Sequence, residues 1–191
     1  PEPIFGLAVQ GVVHPQRVFR KGGAVAGDVL MLSKPIGTAL ALAGCSASDK
    51  AAAIAGMRRL NRLASEQLQA LGTAVHAVTD VTGYGLAGHG WEMAERGNVQ
   101  VIVDTDGIVA YPGAREAAER GVRTGGDPRN REYVQSHVQS TASAGGEALC
   151  MDPQTSGGLL AAIDPAAAGS LADNWWRVGE VAAGPAAIVL R

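Results

Sequence analysis

The sequence predicts a domain of the α/β or α+β class, and three observations support this. Strand-like apolar runs alternate irregularly with segments of helical periodicity along the 191 residues. Hydrophobic residues make up 47% of the chain and charged residues 18%, which is typical of a globular protein with a core to bury. The formal net charge is −2, so no overall basic field attracts nucleic acid or a membrane surface.

Two further features narrow the functional classes. No uninterrupted apolar run approaches the ~18 residues needed to cross a bilayer, and the chain shows no signal peptide at its start. We therefore expect a cytoplasmic protein that binds neither membrane nor nucleic acid. Cys45 and Cys150 form no C-x-x-C pair and no metal-ligand spacing, so we expect two reduced thiols that only pack.

The N-terminal stretch predicts one short strand followed by a linker. Residues Phe5–Val13 form a β-like run, and glycines within Gly22–Gly27 break the pattern before the apolar strand Val29–Leu32. A lone strand before a glycine turn cannot bury both of its faces. Residues 1–23 are therefore expected to belong to a unit that precedes this one, and residues 24–191 to form the domain proper.

The middle of the chain predicts two helices that alternate with strands. Ser48-Asp49 is an N-cap signal for a helix that runs to about Ala70 and ends at Leu71-Gly72. Its buried face is expected to carry the residues that recur at helical spacing, namely Ile54, Met57, Leu60, Ala64 and Leu68. The elements expected next are a strand at Ala74–Val78, a helix from about Leu86 to Arg96 closed by Gly97-Asn98, and a strand at Val99–Val103.

The last third predicts shorter elements. A helix at Ala114–Arg120 stops at Gly121. Residues Val122–Glu132 are expected to form a polar loop, and such a loop is usually solvated, although its arginines can reach phosphates. Those arginines are Arg123, Arg129 and Arg131. The elements expected after it are a turn-rich segment at Asp152–Gly158, a strand at Leu159–Ile163, a short alanine-rich helix, and strands near Val178–Val181 and Ala187–Leu190.

A glycine-rich turn between a strand and a helix is the most informative segment. It places Asp80 at the end of the strand, with Thr82, Gly83 and Gly85 before the helix. A carboxylate in that position can hold Mg²⁺, and backbone N–H groups at a helix start attract phosphate. One aspartate is too few for a complete site, so other acids must come from elsewhere. The alternative is that Asp80 and Thr82 only cap the following helix.

A dinucleotide-binding interpretation of the same turn also stays open. Gly83, Gly85 and Gly88 match G-x-G-x-x-G, and Asp104 ends the next strand about twenty residues later. Against it, the charge of Asp80 would repel a pyrophosphate, and the chain does not continue as regular βαβ units.

The remaining candidates have structural interpretations. His76 and His89 flank the turn and are expected to be hydrogen-bonded structural residues rather than ligands. The pattern contains no recognisable nucleophile–base–acid arrangement. Within Asp152–Gly158, Asp152-Pro153 favours a turn, and the glycines allow close approach of a chain segment or a ligand.

Two motifs together resemble those of the selenophosphate synthetases (selenide, water dikinases). They are Thr79–Leu86, with the sequence TDVTGYGL, and Asp152–Leu160, with the sequence DPQTSGGLL. Shorter agreements at Gly6–Val9, Gly27–Leu30 and Lys34–Thr38 support the resemblance, which covers nearly the whole chain. It is weakest from about Asp104 to Arg120.

The resemblance implies a fold and an activity. The fold is a mixed sheet flanked by helices, as in the C-terminal domain of the aminoimidazole ribonucleotide synthetase-like superfamily. The activity converts ATP, selenide and water to selenophosphate, AMP and phosphate, in a homodimer. Residues 1–23 would then be the last strand and linker of an N-terminal ATP-binding domain. Asp80 would bind Mg²⁺ on the ATP phosphates, with Thr82 and Gly83 beside it.

The resemblance also implies that this chain alone is inactive. The family's catalytic cysteine or selenocysteine, its lysine and its glycine-rich N-terminal segment have no counterpart here, so no catalytic residue is assigned. Lys34 belongs to a different motif. Two alternatives remain, another ATP-dependent enzyme of the same superfamily or a non-catalytic nucleotide-binding module.

Overall fold

The computed structural model describes residue 6 and residues 8–191. In this part of the chain, seven strands form one sheet. They are β1 Val29–Leu32, β2 Val75–Asp80, β3 Gln100–Val103, β4 Val138–Ser140, β5 Leu159–Ile163, β6 Trp176–Ala182 and β7 Ala187–Leu190. The helices are α1 Thr38–Gly44, α2 Ala47–Arg58, α3 Arg62–Leu71, α4 Gly85–Gly97, α5 Ala114–Glu119, α6 Asp127–Val134, α7 Ala144–Met151 and α8 Pro165–Ala168. Single 3₁₀ turns occupy Pro15–Arg17 and Gly72–Ala74.

The sheet is mixed and its strand order is β2-β5-β1-β6-β3-β7-β4. The pairs β2–β5, β5–β1, β1–β6 and β6–β3 are antiparallel, whereas β3–β7 and β7–β4 are parallel. The predicted fold class, a mixed sheet flanked by helices, is confirmed. The order puts β2, which carries the glycine turn at its end, at one edge of the sheet.

Strand β1 is buried on both of its faces. Leu30 and Leu32 of β1 belong to the larger core cluster, which also contains Leu86 and Met93 of α4. The alternate residues of β1 belong to a smaller cluster on the other face, together with Leu68 of α3. A strand buried on both faces has no polar side to present, which explains the uniformly apolar sequence of β1.

The predicted helix from Ser48 to Ala70 is two helices. α2 begins two residues earlier than expected, after the N-cap Ser46, which forms a reciprocal capping box with Asp49. The chain then breaks between Arg58 and Arg62 before α3. The break interrupts the 3.6-residue period, so the predicted buried face is wrong at Ile54 and Leu60, which are exposed. It is right at Ala64 and Leu68.

Three helices and one strand were not expected. The predicted polar loop at Val122–Glu132 contains the start of α6, which has Pro128 in its first turn, where proline is well tolerated. α1, α7 and β4 lie in segments for which no element was predicted. The strands β1 and β5 match the predicted bounds residue for residue.

The N-terminal segment lies partly outside the described residues. Of the predicted strand Phe5–Val13, residues 8–13 are exposed and irregular, and Phe5 is not described. Closer to the domain the linker is anchored, because Phe19 packs against the smaller core and the N–H of Val78 donates to the carbonyl of Arg20 over 2.8 Å. The division into residues 1–23 and 24–191 remains a prediction. Within the described residues, no helix has the length and apolarity that crossing a bilayer requires.

Candidate functional site at the end of strand β2

The turn after β2 is held in place by the segment Asp152–Gly158. The N–H of Val81 donates to the carbonyl of Gly158 over 2.8 Å, and the N–H of Gln154 donates to the carbonyl of Thr82 over 3.0 Å. Gly157 lies so close to the carbonyl of Val81 that a Cβ there would be 2.1 Å from its oxygen. The two motifs that carry the family resemblance are therefore parts of one packed unit.

Asp80 opens onto a surface cleft of about 490 Å³. With the two-residue period of a strand, its side chain lies on the same face as Val78, towards α3. Asp80 is exposed, and within the described part of the chain its carboxylate makes no hydrogen bond or ion pair. The cleft is lined by Phe19, Lys21, Asn61, Arg62, Ser65, Val78, Thr79, Asp80 and Leu159. It thus presents one free carboxylate together with the cationic side chains of Lys21 and Arg62.

The helix-capping alternative for Asp80 and Thr82 is wrong. The N-cap residue of α4 is Tyr84, and no side chain caps this helix start. The hydroxyl of Thr82 instead lies 3.0 Å from Nε2 of His89. Neither polar side chain of the turn is needed to cap the start of α4.

The two glycines of the turn have different environments. Gly83 is exposed, a Cβ there would meet nothing, and its carbonyl accepts a hydrogen bond from Asn130. Gly85 is buried with a φ of +69°, and a Cβ would lie 2.6 Å from the carbonyl oxygen of Cys150. Its N–H already donates to the carbonyl of Thr82 over 3.0 Å. Gly85 thus shapes the turn, and of the two glycines Gly83 faces solvent.

A chain of four polar side chains runs from the turn across α4 to the linker. Nδ1 of His89 lies 2.9 Å from Oε2 of Glu92, and Lys21 donates to the same oxygen over 2.6 Å. With Thr82 at the other end, this gives a hydroxyl, an imidazole and a carboxylate in series. The arrangement was not recognised from the sequence, although positions 82, 89 and 92 are spaced by about two turns and one turn of helix. His89 is hydrogen-bonded, as predicted, and so is His76, through Nδ1 to Asp28 over 2.7 Å.

Asp152 is a buried residue of the motif that supports the turn. Its side chain is 1% exposed and accepts hydrogen bonds from the N–H groups of Ala39 and Leu40, from the Thr124 hydroxyl and from the Gln154 amide. The first two donors belong to the start of α1, so Asp152 satisfies N–H groups that a helix leaves without partners. Burial nevertheless raises the pKa of Asp152 to about 6.

Gln154 and Lys34 complete the same buried unit. Gln154 accepts hydrogen bonds from the N–H groups of Gly37 and Thr38 over 3.0 and 3.2 Å. Lys34 is 2% exposed and donates to the carbonyls of Arg59 and Ser156 over 2.6 and 2.8 Å. Burial, with a smaller effect of Arg59, lowers the pKa of Lys34. The motif Lys34–Thr38 therefore binds the motif 152–158 rather than the cleft.

The dinucleotide-binding interpretation is wrong. In a dinucleotide-binding unit the strands on either side of the glycine turn and its helix belong to one parallel βαβ arrangement. Here β2 is an edge strand that pairs antiparallel with β5, and three strands separate it from β3. Asp104 caps the backbone N–H groups of Asp106 and Gly107, beside β6 rather than beside the turn.

The arginines and cysteines largely have structural partners. Arg123 donates to backbone carbonyls that include that of Ala118, and Arg131 pairs with Asp127 and Glu147. Arg129, by contrast, is exposed. Both thiols are free, and Cys150 is fully buried, which raises its pKa to about 12. A thiol with such a pKa is not a nucleophile at neutral pH.

The donor set at Asp80 suits part of a magnesium site. Among the described residues no three His, Cys, Asp or Glu side chains come together as a metal cluster. Mg²⁺ is usually bound by one or two carboxylates together with substrate phosphates and water. One free carboxylate in the lining of a cleft fits one protein ligand of such a site.

Fold and site together define a domain of the AIR synthase-related type. The family described as "AIR synthase related protein, C-terminal domain" matches residues 25–190, and the chain belongs to this family.

Among curated relatives, the particular similarity is to selenide, water dikinases. The chain is 41% identical over 168 residues to the selenide, water dikinase of Caldanaerobacter subterraneus subsp. tengcongensis, covering 85% of this chain and 48% of the relative. It is 38% identical over 188 residues to selenide, water dikinase 2 of Peptoclostridium acidaminophilum, covering 95% and 54%. The chain spans about half the length of the curated relatives it matches.

Solved structures show the same fold at low sequence identity. The thiamine-monophosphate kinase of Stenotrophomonas maltophilia superimposes with a TM-score of 0.62 at 19% identity, over 93% of this chain and 54% of the kinase. Hydrogenase maturation protein HypE in complex with ATP superimposes with a TM-score of 0.61 at 16% identity, over 90% of this chain and 49% of that protein. These likenesses show the fold, and the match of the family model over residues 25–190 confirms the expected membership of the aminoimidazole ribonucleotide synthetase-like superfamily.

Proposed function

We propose that this chain is the C-terminal part of an ATP-dependent selenophosphate synthetase, which converts ATP, selenide and water to selenophosphate, AMP and phosphate. The observation that carries the proposal is the free carboxylate of Asp80 at the cleft, on a turn fixed by the 152–158 motif. A carboxylate held at a strand end, with no hydrogen-bond or ion-pair partner among the described residues, is poised to bind a cation. The similarity to selenide, water dikinases supports the choice of reaction.

Asp80 has the central role in this proposal, as a ligand of Mg²⁺ on the ATP phosphates. When bound, Mg²⁺ neutralises the negative charge that develops on the phosphates during phosphoryl transfer. Gly83 faces solvent beside Asp80 and offers backbone for close approach of a phosphate. Thr82 contributes its hydroxyl as a contact to the phosphates. Gly85 acts through the backbone conformation that orients the other three, because its own N–H is already bonded.

The other half of the active site lies in the rest of the protein. We propose an N-terminal domain of the same polypeptide as the partner, a cytoplasmic homodimer as the working form, and ATP and selenide as substrates. One aspartate leaves most of the triphosphate charge uncompensated. The isolated chain is therefore expected to turn over no ATP, and selenide-dependent ATP hydrolysis by the purified chain would contradict this.

³¹P NMR on the full-length protein with Mg-ATP, with and without selenide, tests the proposal. Selenide-dependent formation of AMP, phosphate and a selenophosphate signal is expected. ADP as the only product would indicate a sister kinase of the superfamily, and no turnover would indicate a non-catalytic nucleotide-binding module.

The same assay tests the role of Asp80. Asp80→Ala in the full-length protein should abolish turnover and leave the thermal unfolding temperature unchanged, because the side chain is exposed and has no partner within the described chain. Asp106→Ala is the matched control, since Asp106 is also exposed but lies outside the cleft. Wild-type turnover of Asp80→Ala would refute the assignment.

A further inference from the structure

The side-chain series Thr82–His89–Glu92–Lys21 connects the buried face of α4 to the partly exposed turn. The His89 ring is 4% exposed, and both of its nitrogens are used, Nε2 by Thr82 and Nδ1 by Glu92. Thr82 is the partly exposed end of the chain and adjoins Gly83, which faces solvent. A buried imidazole between a carboxylate and an accessible hydroxyl is an arrangement that controls what the hydroxyl can do.

The charge on Glu92 determines which nitrogen of His89 carries a proton. Burial on its own would raise the pKa of Glu92, but hydrogen bonds from Lys21 and His89 outweigh it and hold the pKa below its ordinary value. The ionised carboxylate can only accept hydrogen bonds, so Nδ1 of His89 must donate to it. Nε2 is then the nitrogen that can either carry a proton or lack one, and its partner is the hydroxyl of Thr82.

The state of Nε2 sets the direction of the Thr82 hydroxyl. If Nε2 is unprotonated, it accepts the hydroxyl proton, and Thr82 presents only lone pairs to a ligand. If Nε2 carries a proton, it donates to Oγ1, and the hydroxyl proton is free to point outwards. A phosphate oxygen can only accept, so Thr82 can bind it only in the second arrangement.

We propose that His89 and Glu92 are positioning residues that make the Thr82 hydroxyl a hydrogen-bond donor to a phosphate oxygen of the bound nucleotide. This inference depends on the proposed function, since it requires a nucleotide phosphate at this turn. Glu92 accepts the proton of Nδ1 and so fixes the orientation of the His89 ring, and Lys21 of the linker holds Glu92 in place. The interaction with the ligand is made by Thr82 alone.

The ring of His89 has charged and aromatic neighbours. In the described structure the charged groups in series with His89 are Glu92 of the same helix and Lys21 of the linker. The ring of Tyr84 packs against it in a T-shaped arrangement, with ring centroids 5.8 Å apart, and Tyr84 stacks on Tyr133 of α6. Glu92 is in direct contact, whereas Lys21 reaches His89 only through Glu92.

A double-mutant cycle on nucleotide affinity in the full-length protein tests whether Glu92 acts on the nucleotide through Thr82. The dissociation constant of a non-hydrolysable Mg-ATP analogue is measured by calorimetry for Thr82→Val, Glu92→Gln and the double variant. Each single variant is expected to weaken binding about tenfold or more, the range for a hydrogen bond to a charged group. The double variant should be no weaker than Thr82→Val, because Glu92 acts only through the hydroxyl.

The controls separate positioning from folding. Glu95→Gln changes an exposed carboxylate on the same helix and should bind as wild type, and Thr82→Ser should retain affinity because it keeps the hydroxyl. ¹⁵N NMR of the histidine side chains needs no variant. The analogue should move the Nε2 signal of His89 to the protonated position in the wild type.

The outcomes distinguish a failure of the inference from a failure of the proposed function. If Asp80→Ala loses binding while Glu92→Gln binds as wild type, or if the losses of the double variant add, the positioning role is refuted and the nucleotide site stands. If Asp80→Ala, Thr82→Val and Glu92→Gln all bind as wild type, the nucleotide does not lie at this turn, and both ideas are overturned. An unprotonated Nε2 in the bound state also refutes the inference.

Discussion

Replacing Asp152 by asparagine should make the stability of this chain less dependent on pH. Burial raises the pKa of Asp152 from 3.8 to about 6 in the folded protein. A carboxyl group whose pKa is higher in the folded state than in the unfolded state adds to the free energy of unfolding at low pH. Its contribution is complete below about pH 3.8, where the group is protonated in both the folded and the unfolded protein. That contribution is lost as the pH rises through the folded-state pKa of about 6.

The magnitude follows from the two pKa values. At about 1.4 kcal/mol for each pKa unit, the difference between 3.8 and about 6 corresponds to about 3 kcal/mol lost by high pH. About 2 kcal/mol of this loss falls between about pH 4.5 and pH 7. An asparagine side chain has no charge to bury, so this part of the pH dependence should vanish in Asp152→Asn.

The geometry allows the substitution. An asparagine oxygen in the place of Oδ2 can accept the hydrogen bonds that now come from Ala39, Leu40 and Gln154. Its NH₂ group then faces the Thr124 hydroxyl, which can rotate to accept instead of donate. Asp152→Ala instead removes the acceptor from several buried donors and should lower the free energy of unfolding by about 2–4 kcal/mol at pH 7.

Urea unfolding of the wild type and both variants, followed by circular dichroism at pH 4.5, 6 and 7, measures these effects. When the unfolding free energy of the wild type is subtracted from that of Asp152→Asn, the pH dependence that comes from their shared titratable groups cancels. It should shift by about 2 kcal/mol in favour of the asparagine variant from pH 4.5 to 7. A difference that stays constant over this range would refute the reasoning.

Three other substitutions test the packing around the turn by the same unfolding measurement. Gly85→Ala should destabilise by more than about 3 kcal/mol, because φ is +69° and the Cβ would lie 2.6 Å from a carbonyl oxygen. The matched change Gly83→Ala should alter stability by less than about 0.5 kcal/mol, since a Cβ there meets nothing; equal effects of the two would contradict the turn geometry. Lys34→Met should lower the unfolding free energy by about 2–4 kcal/mol, because it leaves the carbonyls of Arg59 and Ser156 without their donor. An unchanged midpoint would show that these two hydrogen bonds contribute nothing.

The elements that could be predicted are those whose signal is local. β1 and β5 are short, uniformly apolar runs, and α4 lies between a glycine turn and the αL C-cap Asn98. α1 was missed because its first N–H groups are satisfied by Asp152 and Gln154, which are more than 100 positions away, and not by a neighbouring cap residue. A helix capped by tertiary contacts leaves no trace in the adjacent sequence.

The same distinction applies to the site. The position of Asp80 at a strand end could be predicted, because the strand and the glycine turn are adjacent in sequence. The link from Glu92 to Lys21 could not, since the two residues are 71 positions apart and meet only when the linker packs against α4. The network at Asp152 also combines segments distant in the chain, so the role of the 152–158 motif became clear only from the fold.

The position of β1 in the sheet has a consequence for synthesis of the protein. Val29 pairs with Ile163 on one side and with Glu180 on the other. A ribosome that adds about 5–20 residues per second therefore leaves β1 without either neighbour for roughly 7–27 s. During that time the apolar run Val29–Leu32 has no sheet to join, and such a segment is a natural binding site for a chaperone. The centre of this sheet is completed only when translation of the domain is nearly finished.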